Sequence, residues 1–366
     1  MTDKNKRVCV IIPTHWEARM GGSQYQSKVL VDKLLKEGGY DIFFLASRVD
    51  PDFRPEGYQI KQIADRKGLR RYAFFFDSLR LLKLLTEIKP DIIYQRVGCA
   101  YTGVAAYYAN KYGCKMIWQI AHDRNVLPFE KKLSLSYPFK FIDRKFLEYG
   151  IRHAKKIVAQ TEYQQQLLGE NFHRDAEIIP NFHPKPDNEI NKATPLAVVW
   201  IANLKSWKRP EVFVRLAKDL SAMNNIKFVM IGKNMGEEGE YDALLNEVKI
   251  IDNLTYMGEQ KQEKVNEILD TAHVFINTSL YEGFPNTFIQ AWMRKVVVVS
   301  LSVDPDSVLS KKRIGIFADS DYDEMKEQTV MLLENENLRT SMGERSQEYA
   351  FSAHSDANIT RLVSCF

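Results

Sequence analysis

Two α/β domains in series, each a doubly wound parallel sheet covered by helices, are what this chain predicts, on three observations. Short β-branched runs alternate with helical patterns from residue 8 onward. The same alternation starts afresh near residue 197, and residues 178–195, with four prolines and little periodicity, lie between the two series. Strands that alternate with helices imply parallel pairing, because a parallel crossover has to carry the chain back along the sheet. At 366 residues the chain also exceeds the usual size of one domain.

In the first series strands are expected over residues 8–12, 42–45, 92–94, 116–120 and 157–159. In the second they are expected over 197–201, 228–231, 254–257, 274–277 and 296–300. This gives a first domain over 1–180, a linker over 181–195 and a second domain over 196–345. Residues 346–366 form a C-terminal helical segment, with a return to the first domain left open. Ligands of open α/β sheets collect at the carboxyl ends of the strands, so the two domains are expected to enclose one site in a cleft beside the linker.

Composition narrows the class. No apolar run approaches the roughly 20 residues that span a bilayer, and the polar start lacks a signal-peptide pattern, so a cytosolic location is expected. Cys9, Cys99, Cys114 and Cys365 lack metal-ligand or disulfide-framework spacing and read as reduced thiols. Residues 1–180 carry 30 Lys and Arg against 20 Asp and Glu, whereas the remainder carries 21 against 27. A basic first half suits a phosphorylated substrate, an anionic membrane or a nucleic acid. No recognisable nucleic-acid-binding module accompanies it.

The most informative stretch is SLYEGFPNTFIQAW, residues 279–292. An apolar strand precedes it and a helical pattern through Phe288, Ala291 and Trp292 follows. Asn286 or Thr287 is expected to cap that helix, whose first N–H groups favour an anion. Glu282 would accept hydrogen bonds from sugar hydroxyls, and Gln290 lies about two turns along the helix. The plainer alternative is an ordinary strand-to-helix loop with Glu282 solvated and Gln290 on a surface face.

Three other loops stand at expected strand ends. Gly21 and Gly22 open a helix and allow a ligand close to the backbone, or form a simple tight turn. His122 lies in the polar cluster 121–125 and either donates to a phosphate or sugar or is structural. Lys205, Lys208 and Arg209 crowd a helix start whose first turn suits Pro210, which favours a diphosphate, a solvated basic loop being the alternative. The absence of GxGxxG argues against a dinucleotide oxidoreductase.

Taken in order, the Gly21-Gly22 loop, His122, IIPNFHP, NLKSWKRP, MIGKN, YMGEQ and EGFPNTFIQAW resemble the retaining family-four glycosyltransferases of the GT-B fold over almost the whole chain. The resemblance implies a nucleotide-diphosphate sugar held mainly by the second domain and a hydroxyl acceptor, glycan or lipid-linked, held mainly by the first. It implies Lys208 at the diphosphate, Glu282 at the donor-sugar hydroxyls, and His122 near the reacting sugar. Backbone N–H groups around Gly283, Phe284, Asn286 and Thr287 would contact sugar and distal phosphate, with Gly22 approaching the phosphates. Gln290 stands where the family usually has a ribose-binding glutamate, and Asn203 where it commonly has an arginine, so both positions have lost charge. Lys295 and Val297 stand where similar sequences often have glycine and proline.

With no carboxylate placed as a double-displacement nucleophile, the expected route is front-face attack with retention. No metal is expected, although Asp304-Pro305-Asp306 spells a DxD, and no cofactor beyond the donor substrate. Arg66 to Phe76 sets four cations beside four aromatics, and Lys131, Lys132, Tyr137, Phe139, Lys140 and Phe141 form a second such cluster. These suit an anionic membrane surface, with a location on the inner face of the cell membrane, or else the phenylalanines enter the core. Other readings are a weak or inactive GT-B protein that binds nucleotide sugars, motivated by Asn203 and Gln290, and a nucleotide-sugar epimerase, whose cleft carboxylates are not located.

Overall fold

The computed structural model describes residues 5–65, 67–129, 137–187, 190, 192, 194–237 and 239–366. The chain divides into two compact units, one of Met1–Phe182 with Asp356–Phe366 and one of His183–Ser355.

The first unit holds β1 (Lys6–Ile11), β2 (Tyr40–Ala46), β3 (Gln59–Gln62), β4 (Ile92–Arg96), β5 (Lys115–Gln119), β6 (Lys156–Ala159) and β7 (Glu177–Ile178). All pair in parallel in the order β3-β2-β1-β4-β5-β6-β7, with Val8 opposite both Ile42 and Ile92. Helices α1 (Gly22–Glu37), α2 (Ser78–Ile88), α3 (Ala100–Tyr112), α4 (Tyr137–His153) and α5 (Glu162–Phe172) make the crossovers. The central strands are apolar on both faces because helices cover both, so Val8 and Val10 enter one core and Cys9 and Ile11 the other. Helices α3 and α4 cross through two glycines. A Cβ at Gly103 would lie 2.3 Å from the Phe146 carbonyl oxygen, and one at Gly150 would lie 2.6 Å from the Thr102 carbonyl carbon.

The second unit holds β8 (Leu196–Ile201), β9 (Ile226–Ile231), β10 (Leu254–Tyr256), β11 (Val274–Asn277), β12 (Val297–Ser300) and β13 (Gly315–Phe317), parallel in the order β10-β9-β8-β11-β12-β13. Its helices are α6 (Pro210–Asp219), α7 (Asp242–Val248), α8 (Gln262–Thr271), α9 (Asn286–Trp292), α10 (Val308–Lys312), α11 (Tyr322–Glu334) and α12 (Glu336–Ala353). Proline at the first position starts α6, and the Asp321 carboxylate caps α11 by accepting from the N–H groups of Asp323 and Glu324. Trp200 and Trp292 are buried in the two cores of this sheet, each such side chain contributing about 2–3 kcal/mol by leaving water.

The last helix, α13 (Asp356–Ser364), belongs to the first unit, where Ile359, Leu362, Val363 and Phe366 complete the core formed by Val8, Val10 and Tyr94. Because α12 is continuous from Glu336 to Ala353, the second unit runs past residue 345 to Ser355. The proline-rich segment starts tied down rather than loose. Asn181 is buried and bonded to Arg96 and Gln160, and His183 is buried in the second unit. Three short strands, β3, β7 and β13, were not expected from the sequence. The first two lie at sheet edges and are polar or only two residues long, and β13 has three residues.

Candidate functional site

In the second sheet the chain leaves β8 toward β9 on one side and leaves β11 toward β12 on the other, so the loops after β8 and β11 flank the point where the strand order diverges. These loops hold two of the three predicted catalytic residues. The loop after β8 turns through a 3₁₀ segment, Ser206–Lys208, and Arg209 takes a left-handed backbone before Pro210 begins α6. The loop after β11 is laced to it. The Leu280 N–H donates to the Trp207 carbonyl at 2.9 Å, and the Thr278 hydroxyl donates to the Lys208 carbonyl at 2.6 Å while accepting from the Trp200 indole at 2.9 Å. Trp207 and Tyr281 stack with an interplanar angle of 13°.

This lacing brings the Lys208 ammonium onto the Glu282 carboxylate as a hydrogen-bonded ion pair, its side chains 20% and 15% exposed. The two residues lie 74 positions apart in the chain and carry opposite charge in one small volume. The neighbouring cations are placed differently. The Lys205 ammonium lies 4.7 Å from the centre of the Trp207 ring, and Arg209 is 3.9 Å from the Glu211 carboxylate.

The loops carrying MIGKN and YMGEQ are stitched to the same region. Gly232 has φ 155°, and a Cβ there would lie 1.7 Å from the Ala202 carbonyl oxygen, so only glycine fits. Its N–H donates to Gly258 at 2.9 Å and its carbonyl accepts from Tyr256 at 2.7 Å, while Lys233 pairs with Glu259 at 2.8 Å. Asn203, where the resemblance had led one to expect an arginine, uses its amide oxygen to accept from the Lys233 N–H at 3.1 Å.

The helix after the EGFPN loop corrects one expectation. Pro285 is the residue preceding the first turn of α9, and neither Asn286 nor Thr287 caps it. The Asn286 amide is turned instead toward His183, whose Nε2 lies 3.1 Å from its Oδ1. Burial pushes the His183 imidazole down to about 3, with a partly opposing contribution from Asn286, so the ring is neutral and donates from Nε2. Phe284 packs on His354 at 4.7 Å, and the His354 carbonyl accepts from the His183 N–H at 3.3 Å. Two buried histidines thus clasp the loop carrying Glu282, Gly283, Phe284, Asn286 and Thr287. Neither histidine was singled out in the sequence: IIPNFHP entered as a linker motif with no role for His183, and His354 lies outside every motif. Gln290 is buried rather than on a surface face.

In the first unit, Gly21 precedes α1 in extended backbone that any residue adopts, and a Cβ there would meet only the end of the flexible Gln24 side chain. Glycine here leaves room beside Gly22 at the start of α1. The loop leading to it contains His15, not singled out in the sequence. His15 is buried among Trp16, Phe44 and Phe53, 3.0 Å from the Tyr58 hydroxyl, and pushed by burial down to about 4.

His122 follows β5, and its Nδ1 accepts from the Arg124 N–H at 3.1 Å, which puts the proton of the neutral ring on Nε2. Its loop is held from two helices, α4 and α5. Arg144 of α4 donates to the carbonyls of Arg124, Asn125 and Leu127, Gln164 to the Asp123 carboxylate, and Asn171 to the Val126 carbonyl. The glycine crossing of α3 and α4 fixes where Arg144 stands. Sequence gave no sign of Arg144, whose partners are backbone atoms.

The two aromatic-cationic clusters share a surface. Phe139 stacks near Tyr72 at 6.4 Å and contacts Phe76 at 5.6 Å, Tyr72 and Phe141 are exposed, and Lys145 lies 5.2 Å over Phe141. Phe74 instead packs toward the core against Tyr101 at 5.1 Å. Arg66, Lys131 and Lys132 lie outside the described residues. Asp304 of the DxD accepts from the Leu309 and Ser310 N–H groups and the Ser310 hydroxyl, which starts α10. Among the described residues no group of three or more His, Cys, Asp or Glu stands together as a metal site.

Residues 184–349 match the family described as Glycosyl transferases group 1, and residues 20–183 match Glycosyltransferase Family 4. An uncharacterized glycosyltransferase of Methanocaldococcus jannaschii is 21% identical over 93% of each chain. Among solved structures, sucrose-phosphate synthase of Thermosynechococcus elongatus superposes with a TM-score of 0.78 at 12% identity over 98% of both chains. Anabaena HepE in complex with UDP-glucose does so with a TM-score of 0.73 at 13% identity, again over 98% of both.

Proposed function

This chain belongs to the group 1 glycosyltransferases of the GT-B fold, and from that premise we propose that it moves a sugar from a nucleotide-diphosphate donor to a hydroxyl acceptor with retention of configuration. The observation that carries the proposal is the Lys208–Glu282 pair at the divergence of the second sheet. A cation and a hydrogen-bond-accepting anion held side by side suit the two ends of the bond to be broken. Lys208 takes the charge of the departing diphosphate, and Glu282 accepts from the sugar hydroxyls. Each charge is the other's partner across the two loops, so donor binding would exchange one ion pair for two sets of contacts.

The acceptor hydroxyl attacks C1 on the face from which the diphosphate leaves. The bond from C1 to the phosphate oxygen breaks, and the acceptor proton passes to that oxygen. The protein supplies positioning and electrostatic stabilisation, with His122 offering Nε2–H to the reacting sugar. Neither a metal nor a cofactor has a part in this route.

A thermal-shift screen over nucleotide-diphosphate sugars tests the donor, since a ligand of the native state raises the transition temperature. Product stereochemistry by NMR then tests the route, and an inverted anomeric centre would reject it. UDP-glucose, present with the Anabaena relative, is the first donor to try.

The joined surface of Tyr72, Phe139, Lys140, Phe141 and Lys145 supports an acceptor presented at an anionic membrane. Absence of co-sedimentation with anionic vesicles at low salt would remove that reading. One observation favours a weaker, binding-only protein: the Asn203 amide is occupied by Lys233. Calorimetric binding of the donor without hydrolysis or transfer would decide for it.

A further inference from the structure

The amino ends of the second sheet, opposite the loops discussed so far, hold a cavity of about 520 Å³. It opens where β8, β9, β11 and β12 begin. Its walls bring together Lys192 before β8, His273 before β11, Lys295 before β12 and Arg339 near the start of α12. Strands of four to six residues place it roughly 13–20 Å from the carboxyl-end loops.

The cations here are not paired off at contact distance. Among the described residues no carboxylate lies within ion-pair distance of Lys192, His273, Lys295 or Arg339. The Lys192 ammonium donates only to the Leu269 carbonyl at 2.9 Å, and Arg339 to the carbonyls of Leu332 and Leu333 at 2.7 and 3.1 Å. The two acidic residues of the wall, Glu334 and Glu336, are exposed, while the cations are half-buried. His273 is 6% exposed and its Nδ1 accepts from the Ala197 N–H at 3.1 Å, which leaves the ring proton on Nε2, and no described residue accepts it.

The protonation behaviour of the cluster agrees. Burial, with Arg294 and Lys295 adding to it and Asp270 opposing, pushes Lys192 down to about 7. Burial with Arg339, Lys192 and Lys227 pushes His273 down to about 4. Burial is the larger cause in both, the neighbouring cations add to it, and Glu336 partly opposes the lowering that burial imposes on Arg339.

Lys295 adds an independent sign. Its backbone is left-handed, φ 54°, a conformation that costs a non-glycine residue about 1 kcal/mol. A lysine kept there against that cost places an ammonium beside the cavity.

We infer that this cavity is a binding site for a phosphate-bearing small molecule, with Lys192, Lys295, Arg339 and the Nε2–H of His273 on the phosphate and Asn224, Asn225 and Thr340 on a polar remainder. It is separate from the donor loops and stands independently of the transferase reading. The volume admits an ester of hexose size, and inorganic phosphate shares the head-group chemistry.

The test uses the full chain in thermal-shift and calorimetric titrations with inorganic phosphate and glucose 6-phosphate, against glucose, at constant ionic strength in chloride. A rise in transition temperature with the phosphate probes is expected, with glucose silent. A larger response to the ester identifies an organic phosphate, and an equal one the free ion. Lys192→Gln and Lys295→Gln are expected to weaken binding at least tenfold, while Lys208→Ala keeps it. Lys295→Gly, which relieves the backbone, is expected to keep or raise the baseline transition temperature while losing the phosphate response, so loss of folding cannot imitate the result. No response to any phosphate probe, or one that survives in the Lys192 and Lys295 variants, overturns the inference.

Discussion

Removing the Lys208 ammonium has two consequences that differ in kind. For stability, Lys208→Ala strands the Glu282 carboxylate, which is 15% exposed. Two unit charges in contact at an effective dielectric of 20 attract by about 4 kcal/mol, but desolvation of both offsets much of this. A net loss of about 1–3 kcal/mol in stability is expected, between the values of fully exposed and fully buried pairs. On the proposed route Lys208 carries the leaving-group charge, with Lys205 over Trp207 and Arg209 beside Glu211 turned to other contacts. Loss of one contact to leaving-group charge commonly lowers kcat by about 10²–10³-fold.

A double-mutant cycle with Glu282→Ala separates the two. The double variant no longer carries a stranded carboxylate, so it is expected to regain part of the stability lost in Lys208→Ala but none of the turnover. The measurements are urea unfolding and kcat with the donor found by thermal shift. A Lys208→Ala enzyme within about threefold of the parent kcat, or a double variant that regains activity, would refute the assignment.

Two further outcomes test the scaffold. Gly232→Ala would drive a Cβ into the Ala202 carbonyl at 1.7 Å on a backbone with φ 155°; a loss of at least about 3 kcal/mol is expected, and an unchanged transition temperature would mean the loops after β8 and β9 are not so close. His183, held at about 3, and His273, at about 4, take up protons later than they do in the unfolded chain. The unfolded state therefore binds more protons as pH falls through 6.5 toward 4. Stability is full above that window and declines through it by up to about 1.4 kcal/mol per unit for each histidine. Urea midpoints at pH 7 and 5 measure this, and His183→Gln is expected to flatten the difference; identical midpoints in the parent would contradict it.

What was legible in the sequence follows from what each part needs from distant residues. Runs such as Val296 to Ser300 had to be strands, because an unbroken β-branched stretch of that length is buried on both faces in a parallel sheet. Edge strands β3 and β7 are formed by neighbours that supply their hydrogen bonds, and their own residues are polar or too few to show it. The same division runs through the candidate site. Glu282 and Lys208 were separately recognisable from the loops they occupy, yet their pairing depends on the Trp207–Leu280 and Lys208–Thr278 bonds across two strands. Asn286 illustrates the opposite failure. Its local preference for a cap was overridden by His183, a partner 103 residues away.

The way α13 completes the first unit bears on how the chain is made. Residues 1–182 leave the ribosome well before Ile359, Leu362 and Val363, which fill part of their core. At about 5–20 residues per second, the half-built sheet waits on the order of ten seconds or longer, with apolar surface around Val8, Val10 and Tyr94 open to solvent. Partners that shelter nascent chains have that interval in which to act, and trimming the final helix is a lesion of the segment translated first.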